Sequence, residues 1–219
     1  MTEILLSGPL NGTHVVAARL ACEEKGLIYG VQEPDLLKAG GFRLAELLTY
    51  LCDRQPTLSH AGLMLFDLEA ILRYVDEAFP GPILQPESPR DRALMTQTMA
   101  VIRAHLGPSA VGVVIAQRLF VPFLGGVPDL HMVTRIVPAM QDSLYAIEQL
   151  SLLSHDGAHS EFLIGRDLSL ADIMLLPIVG YLMATPEGKA SVNVSTRLSR
   201  WWISLSRRAA WARCRPRLG

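Results

Sequence analysis

The stretch from Pro56 to Tyr74, PTLSHAGLMLFDLEAILRY, decides the predicted fold of the first part of this chain. The short apolar runs Thr57–Ser59 and Leu63–Phe66 flank the turn residues 60–62, which is the pattern of a β-hairpin. Asp67 follows as a helix N-cap. Apolar residues at helical spacing come next: Ala70, Ile71, Tyr74 and Val75. This stretch therefore predicts two antiparallel strands followed by an amphipathic helix.

The residues before this stretch predict a βαβ unit. Glu3–Leu6 is a short apolar run, and a helical pattern begins at Thr13 and stops at Gly26, a suitable C′ residue. Residues 27–31 predict the second strand, and parallel pairing is the default for a strand, helix and strand of this length. A weaker helix is predicted over 42–51. The order expected for the first eighty residues is therefore β-α-β-α-β-β-α.

The residues after this stretch change in character. Residues 79–89 are rich in proline and predict a linker, because proline is excluded from helix interiors and central strands. Beyond it, Ser88 is predicted to cap a helix with Pro89 at its first position, and Ser169 with Asp172 is predicted to form a capping box. Helices are predicted over 90–106, 109–119, 130–154, 169–184 and 196–210. The predicted fold class is α/β plus all-α, with domains at 1–80 and 90–219 and the linker at 81–89.

The composition excludes several classes of partner. The formal net charge is −1 and 50% of the residues are hydrophobic, so no general field attracts nucleic acid or an anionic membrane. The most apolar run, 173–184, is shorter than the roughly twenty residues of a spanning helix, and we interpret it as a buried core helix. The N-terminus lacks a basic region and a cleavage site, so it is not interpreted as a signal peptide. We predict no nucleic-acid partner and no membrane partner.

Three widely spaced cysteines, Cys22, Cys52 and Cys214, argue against a disulfide framework and a zinc site and for a reducing compartment. We therefore predict a cytoplasmic protein with no metal. His155 and His159 have a metal-like spacing, but their Gly/Ser-rich surroundings favour a solvated loop. The motifs of serine hydrolases, P-loop proteins and dinucleotide-binding proteins are absent.

Three elements of the first domain predict a binding site for a thiol peptide. A cis bond before Pro56 is one explanation for proline between two strand signals, and it would turn the Gln55 backbone outward to pair with an extended peptide. A trans proline in a loop is the alternative. Asp67 and its helix N-terminus suit the ammonium and carboxylate of a γ-glutamyl group, although taken alone Asp67 is better explained as a simple helix cap. The loop before the first helix, with Asn11 and Thr13, can lower the pKa of a bound thiol.

These residues resemble the N-terminal domain of a glutathione S-transferase. The resemblance rests on Leu6–Pro9, Arg19–Leu27, Gln55-Pro56 and Asp67–Tyr74, and it extends to the C-terminal part through Gly165–Ile173. It implies a thioredoxin-like domain followed by a helical bundle, glutathione as the bound cofactor, and a homodimer. It also implies that Arg54, Gln55, Pro56, Asp67 and Leu68 bind glutathione.

The chain departs from the family pattern at the chemically important positions. Leu68 replaces the serine whose hydroxyl binds the γ-glutamyl carboxylate, and Arg54 replaces a glutamine. The family's activating Tyr, Ser or Cys is not evident, since Gly12 falls at the Ser/Cys position. Asn11 and Thr13 are therefore predicted to act as the catalytic residues by stabilising the thiolate.

Three functions remain open from the sequence. The first is a glutathione-dependent transferase acting on a hydrophobic electrophile, in a pocket with walls at Leu10, Leu106, Ala110 and Val114. The second is a glutathione-dependent cis–trans isomerase of a conjugated alkene, in the metabolism of a specialised hydrophobic compound. The third is a non-catalytic module of the same fold used for assembly.

Overall fold

The first part of the chain folds as a four-stranded mixed sheet with helices packed on it. The computed structural model describes residues 4–33, 56–154 and 160–216. Its first elements are β1 (Ile4–Ser7), α1 (Thr13–Glu24), β2 (Tyr29–Gln32), β3 (Thr57–His60), β4 (Leu63–Leu65) and α2 (Leu68–Ala78). The strand order is β2-β1-β3-β4. The predicted helix over 42–51 and residues Arg54 and Gln55 lie outside the described residues.

The predicted βαβ unit is confirmed. β1 pairs with β2 in parallel, with Leu5 opposite Gly30. Helix α1 ends at Glu24 with Lys25 as its C-cap, and the next residue, Gly26, has φ of 69°. The Gly26 N–H donates to the Glu23 carbonyl and the Leu27 N–H to the Cys22 carbonyl, which is a Schellman motif that only a residue tolerating positive φ closes easily.

The predicted β-hairpin is also confirmed. β3 pairs antiparallel with β4, with His60 opposite Leu63, so the connecting loop is Ala61-Gly62. Both loop residues have positive φ, 49° and 83°, as a type I′ turn requires. β3 pairs in turn with β1, with Ser7 opposite Thr57, which brings Pro56 beside the end of β1.

A buried ion pair joins this part of the chain to the segment after α2. The Lys25 ammonium donates to the Asp76 carboxylate at 3.3 Å and to the Pro82 carbonyl at 3.1 Å. The same carboxylate accepts from the Leu84 N–H at 2.8 Å. Because a buried charge is costly unless it is paired and hydrogen-bonded, this network fixes the path of the segment 79–88.

The remaining elements are helical. They are α3 (Pro89–Phe123), α4 (Leu130–Leu153), α5 (Leu170–Leu182), α6 (Pro186–Val194), α7 (Thr196–Leu205) and α8 (Ala209–Cys214). Ser88 caps α3 as predicted, and the capping box of Ser169 and Asp172 at the start of α5 is confirmed. With the sheet and its helices before them, they give the predicted fold class of α/β plus all-α.

Two of the predicted helix boundaries are wrong. The predicted helices 90–106 and 109–119 form one helix, α3, whose turns widen to π-helical geometry over Ile102–Phe120 around Pro108. The wider turn accommodates the proline, which has no N–H and would clash with the carbonyl of an ordinary helical turn. The predicted helix 196–210 is two helices, α7 and α8.

Helix α6 was not predicted from the sequence. It begins at Pro186, and the Thr185 hydroxyl caps it by accepting from the Gly188 N–H at 3.1 Å. A threonine followed by proline and glutamate is a recognised helix start, so the signal was present in the sequence.

The buried core is one cluster that runs through both the sheet part and the helical part, from Ile4 to Cys214. The boundaries 1–80, 81–89 and 90–219 therefore stay a prediction. α3 is long and apolar enough to cross a membrane by length and composition, but half of its most apolar window is buried inside the protein. It packs chiefly against α4 and also against α5, as the core helix of the bundle. The predicted burial of the apolar run in α5 is confirmed.

Candidate active site

The loop between β1 and α1, residues 8–12, is the centre of the candidate site. The Gly8 N–H donates to the Gln32 carbonyl at 3.1 Å, and Gly8 has φ of 152°. A Cβ at this position would lie 2.6 Å from Val15 Cγ2 and 3.6 Å from Pro56 Cα. Glycine is therefore needed here, and its small size lets the loop lie against Pro56, the residue before β3.

The peptide between Asn11 and Gly12 is held at both ends. The Tyr181 hydroxyl donates to the Asn11 carbonyl oxygen. The Gly12 N–H donates to the Pro9 carbonyl at 2.8 Å, and the Gly12 carbonyl accepts from the Val16 N–H at 2.9 Å. The loop therefore enters α1 with a fixed orientation.

The N-terminus of α1 starts directly after this loop. Its N-cap is Gly12, which has no side chain to accept from the N–H groups of the first turn. Thr13 is the first helical residue and is buried. The positive end of the helix dipole thus lies at the loop where the sequence predicts a thiolate. The roles of Asn11 and Thr13 toward that thiolate stay predictions.

Gly12 has no room for a larger residue. A Cβ there would lie 2.9 Å from Pro9 Cγ and 3.1 Å from the Pro9 carbonyl oxygen. The pyrrolidine ring is stiff and cannot move aside cheaply. The family's activating serine or cysteine therefore could not be placed at this position without displacing Pro9.

The second part of the candidate site is the start of α2. The Asp67 carboxylate accepts from the Ala70 N–H at 3.0 Å, so the predicted helix cap is confirmed. Leu68, which replaces the family serine, is buried in the core. The roles of Asp67, Leu68 and Pro56 in binding glutathione stay predictions. Arg54, Gln55 and the bond before Pro56 involve residues outside those described.

The predicted pocket walls need correction. Leu106, Ala110 and Val114 are fully buried among core residues, because they form the face of α3 that turns toward the bundle. They are therefore core residues and not walls of an open pocket. Leu10 is 39% exposed, and its N–H donates to the Glu33 carboxylate at 3.0 Å. Of the four, Leu10 alone faces solvent.

Sequence reasoning missed the side chains that approach the loop from the helical part. Tyr181 reaches the Asn11 carbonyl, and its ring packs edge-on against Phe120 at a centroid distance of 5.3 Å. Both aromatics lie in long apolar runs that predict only burial, so no local signal distinguishes them.

A crevice of about 780 Å³ lies elsewhere in the molecule. It is formed by the segment 82–88 and residues 162–169, with Glu24 and Arg208 at one side. Among the residues that the structure describes, none of those predicted to bind glutathione or the electrophile lines it. The crevice is therefore separate from the loop 8–12 and the start of α2.

Among the residues that the structure describes, neither Cys22 and Cys214 nor a metal-binding cluster supplies an alternative chemistry, and Cys52 lies outside those residues. Burial raises the pKa of the Cys22 thiol to about 12 and that of the Cys214 thiol to about 11, so both are protonated at neutral pH and unsuited to act as nucleophiles. Within the described residues no group of three or more His, Cys, Asp or Glu side chains is arranged to hold a metal ion. His155 and His159 lie outside the described residues.

Known proteins resemble this chain over nearly its whole length. Glutathione S-transferase F10 of Arabidopsis thaliana is 27% identical over 191 residues, covering 86% of this chain and 85% of that protein. Maleylacetoacetate isomerase of Rattus norvegicus is 29% identical over 163 residues, covering 74% and 69%. The apo structure of a glutathione S-transferase III superposes with a TM-score of 0.79 at 25% identity, covering 97% of this chain and 95% of that one. No family model matches the chain.

A thioredoxin-like sheet with a helical bundle, and a β1–α1 loop beside Pro56, define the architecture of the glutathione S-transferases. In both sequence and fold, the chain is similar to the glutathione S-transferase superfamily. Its relatives in both groups, the transferases and the maleylacetoacetate isomerases, are enzymes.

Proposed function

We propose that this protein is a glutathione-dependent transferase that adds the glutathione thiolate to a hydrophobic electrophile. The observation that supports this most directly is the loop 8–12. It lies against Pro56 and opens onto a helix N-terminus whose N-cap has no side chain, in a chain whose relatives are glutathione S-transferases. This combination suits a thiol-bearing peptide lying along the segment that precedes β3, with its sulfur at α1.

Glutathione is the proposed cofactor, and the start of α2 is the proposed site of its γ-glutamyl group. The Asp67 carboxylate is suited to bind the ammonium of the γ-glutamyl group, and the backbone N–H groups of the first turn of α2 are suited to bind the carboxylate of that group. Leu68 offers only its backbone there, since its side chain is buried. Arg54 is proposed to pair with the glycyl carboxylate, and the Gln55 backbone with the cysteinyl unit.

Only a few hydrogen-bond donors are proposed to stabilise the thiolate. The Leu10 N–H already donates to Glu33 and the Gly12 N–H to Pro9. Thr13 and the Asn11 side chain, which the sequence predicts for this role, are the proposed partners of the sulfur, and the α1 dipole supports them. The thiol proton leaves to solvent, and the thiolate forms a C–S bond with the electrophile. In a substitution the leaving group departs with the electron pair of the bond that breaks. In an addition to an alkene the carbanion that forms takes a proton from solvent.

A second function is favoured by the relatives named maleylacetoacetate isomerase, which are 24% and 29% identical. The thiolate adds to one carbon of a conjugated alkene, and the carbon–carbon bond that is now single rotates. The C–S bond then breaks, restoring the alkene and the thiolate. The atoms balance without any net conjugation, and a specialised hydrophobic metabolite is the proposed class of substrate.

Calorimetry and product analysis together test these proposals. The protein should bind glutathione with a dissociation constant in the millimolar range or below. Mass spectrometry then separates the two activities, because conjugation adds the mass of glutathione to the product and isomerisation adds nothing. Failure to bind glutathione at millimolar concentration contradicts both and supports the non-catalytic assembly module.

A cytoplasmic homodimer is the proposed state of the protein. β4 is the edge strand of the sheet, and the apolar residues Met64 and Phe66 at its exposed side are 65% and 72% exposed. An apolar patch on a sheet edge favours association with a second copy. Light scattering should give twice the chain mass of 24.0 kDa, and a monomer at micromolar concentration contradicts the proposal.

A further inference from the structure

One side chain of the helical part is hydrogen-bonded to the loop that the proposed function places under the glutathione sulfur. Tyr181, on α5, donates its hydroxyl proton to the Asn11 carbonyl oxygen. The two residues lie 170 positions apart in the chain, so the contact exists only in the folded molecule. Tyr181 is 2% exposed, so the donor side of the bond is buried in the helical part.

The Tyr181 ring has little freedom to move. It packs edge-on against Phe120, with an interplanar angle of 77°. On the neighbouring residue, a Cβ at Gly180 would lie 2.5 Å from the Trp211 ring, so α8 packs directly on this turn of α5. α5 itself packs along α1. The packing of the Tyr181 ring and of α5 therefore fixes the position of the hydroxyl relative to the loop.

The bond matters because of the peptide that accepts it. The Gly12 N–H of the same peptide donates to the Pro9 carbonyl at 2.8 Å, so both of its polar ends are engaged. A carbonyl oxygen turned toward the sulfur would repel a thiolate and raise its pKa. Tyr181 holds this oxygen in a hydrogen bond to the helical part, so the oxygen is not free to turn toward the sulfur.

We propose that Tyr181 is a positioning residue for the glutathione thiolate, which acts through the Asn11–Gly12 peptide and makes no contact with the sulfur itself. The inference rests on the proposed function. It differs from direct activation by a tyrosine hydroxyl, because the Tyr181 proton is donated to a backbone carbonyl.

The test is the pKa of the bound glutathione thiol, followed through the ultraviolet absorbance of the thiolate in a pH titration. In Tyr181→Phe this pKa should rise by about half to one pH unit. At pH values below the thiol pKa, this rise corresponds to a thiolate population that is about three- to tenfold smaller. The dissociation constant for glutathione should change less than twofold. With any electrophile that is turned over, kcat/KM should fall by the same factor at low pH and recover at high pH.

Two further variants make the result decisive. Tyr145→Phe changes an exposed tyrosine on α4 and should leave the thiol pKa unchanged. Phe120→Leu retains the Tyr181 hydroxyl but removes the ring that orients it, so it should raise the thiol pKa in the same direction, and it serves if Tyr181→Phe fails to fold.

The outcomes separate the positioning role from the proposed function. If the wild-type protein binds glutathione with a lowered thiol pKa and this pKa is the same in Tyr181→Phe, the positioning role is wrong and the proposed function stands. A weaker affinity with an unchanged thiol pKa also overturns it, since that pattern marks a merely structural residue. If the wild type does not bind glutathione, both proposals fail.

Discussion

Gly12 is a glycine because of its neighbour Pro9. Its φ of −70° is open to any residue, so backbone conformation does not explain the choice. The position of the Pro9 ring does, because a Cβ on residue 12 would lie 2.9 Å from Pro9 Cγ. The absence of the family hydroxyl is thus part of the local packing of this loop, and restoring that hydroxyl alone does not restore the family's chemistry.

Gly12→Ser should destabilise the protein by about 1–3 kcal/mol, as overpacking against a stiff ring does, without increasing thiolate formation. Urea denaturation measures the first effect and the thiol titration the second. Gly112→Ser is the matched control, because a Cβ at Gly112 meets nothing closer than 4.0 Å and serine suits a helix better than glycine. A stable Gly12→Ser variant with a lowered thiol pKa contradicts this explanation.

Asp67 has a confirmed role as a cap and a proposed role as a ligand, and two substitutions separate them. Asp67→Asn retains an oxygen that caps α2 but removes the charge, so stability should stay within about 0.5 kcal/mol while glutathione binding weakens by at least about 1 kcal/mol. Asp67→Ala should lose both. Calorimetry and thermal unfolding measure the two effects, and unchanged affinity in Asp67→Asn would remove Asp67 from the proposed site.

At the scale of elements, the hairpin of β3 and β4 shows how turn chemistry sets register. A two-residue turn with positive φ at both positions matches the twist of the strands it joins. Gly62 meets this requirement without strain, whereas Ala61 adopts φ of 49° with a side chain. The turn therefore contains one residue suited to it and one that is not.

Ala61→Asn should stabilise the protein by about 0.5–1 kcal/mol, because asparagine tolerates the left-handed region better than alanine. Gly62→Ala should destabilise it by about 1 kcal/mol, although space is open around its Cβ, since the cost is conformational. Chemical denaturation of both variants checks the opposite signs. Equal effects would mean that the turn is not of this type in solution.

The helices show which signals a sequence supplies at this scale. The caps at Asp67, Ser88 and Ser169 were predicted correctly because each depends on residues three positions apart. The prediction of a helix break at Pro108 was wrong, because tolerance of a proline depends on wider turns that neighbouring helices stabilise.

At the scale of the whole molecule, the first helix is joined to the last. The Arg208 guanidinium binds Glu24 through two hydrogen bonds of 2.7 and 2.6 Å, and Arg213 binds Glu23 at 2.5 Å. Cys22 and Cys214 are both fully buried on the two helices that these pairs connect. The segment from Arg208 to Cys214 is therefore docked on α1.

These buried thiols should make the free energy of unfolding decrease at alkaline pH. Burial raises the pKa of Cys22 from 9.0 to about 12 and that of Cys214 from 9.0 to about 11. Since the folded state holds these protons to higher pH than the unfolded state, the stability they contribute is complete below pH 9 and is lost as pH rises toward the folded pKa values. The free energy of unfolding should fall by about 1–2 kcal/mol per thiol between about pH 8 and about pH 10.5.

Denaturation of wild type and of Cys22→Ala/Cys214→Ala at these two pH values measures the effect. The double variant should lose much of the pH dependence and keep a smaller slope from Tyr29, whose pKa burial also raises. Parallel slopes for the two proteins would show that the thiols are not the groups that titrate.

The sequence by itself determined the features that depend on neighbours along the chain. These are the alternation of strands and helices, the hairpin turn, the helix caps and the order of motifs that marks the superfamily. Only the tertiary structure decided which residues surround the loop 8–12. Leu106, Ala110 and Val114 turned into the core, while Tyr181, packed against Phe120, came within hydrogen-bonding distance of Asn11. The physical reason is that periodicity predicts which face of a helix is buried, whereas the neighbour that it is buried against is set by how distant helices pack.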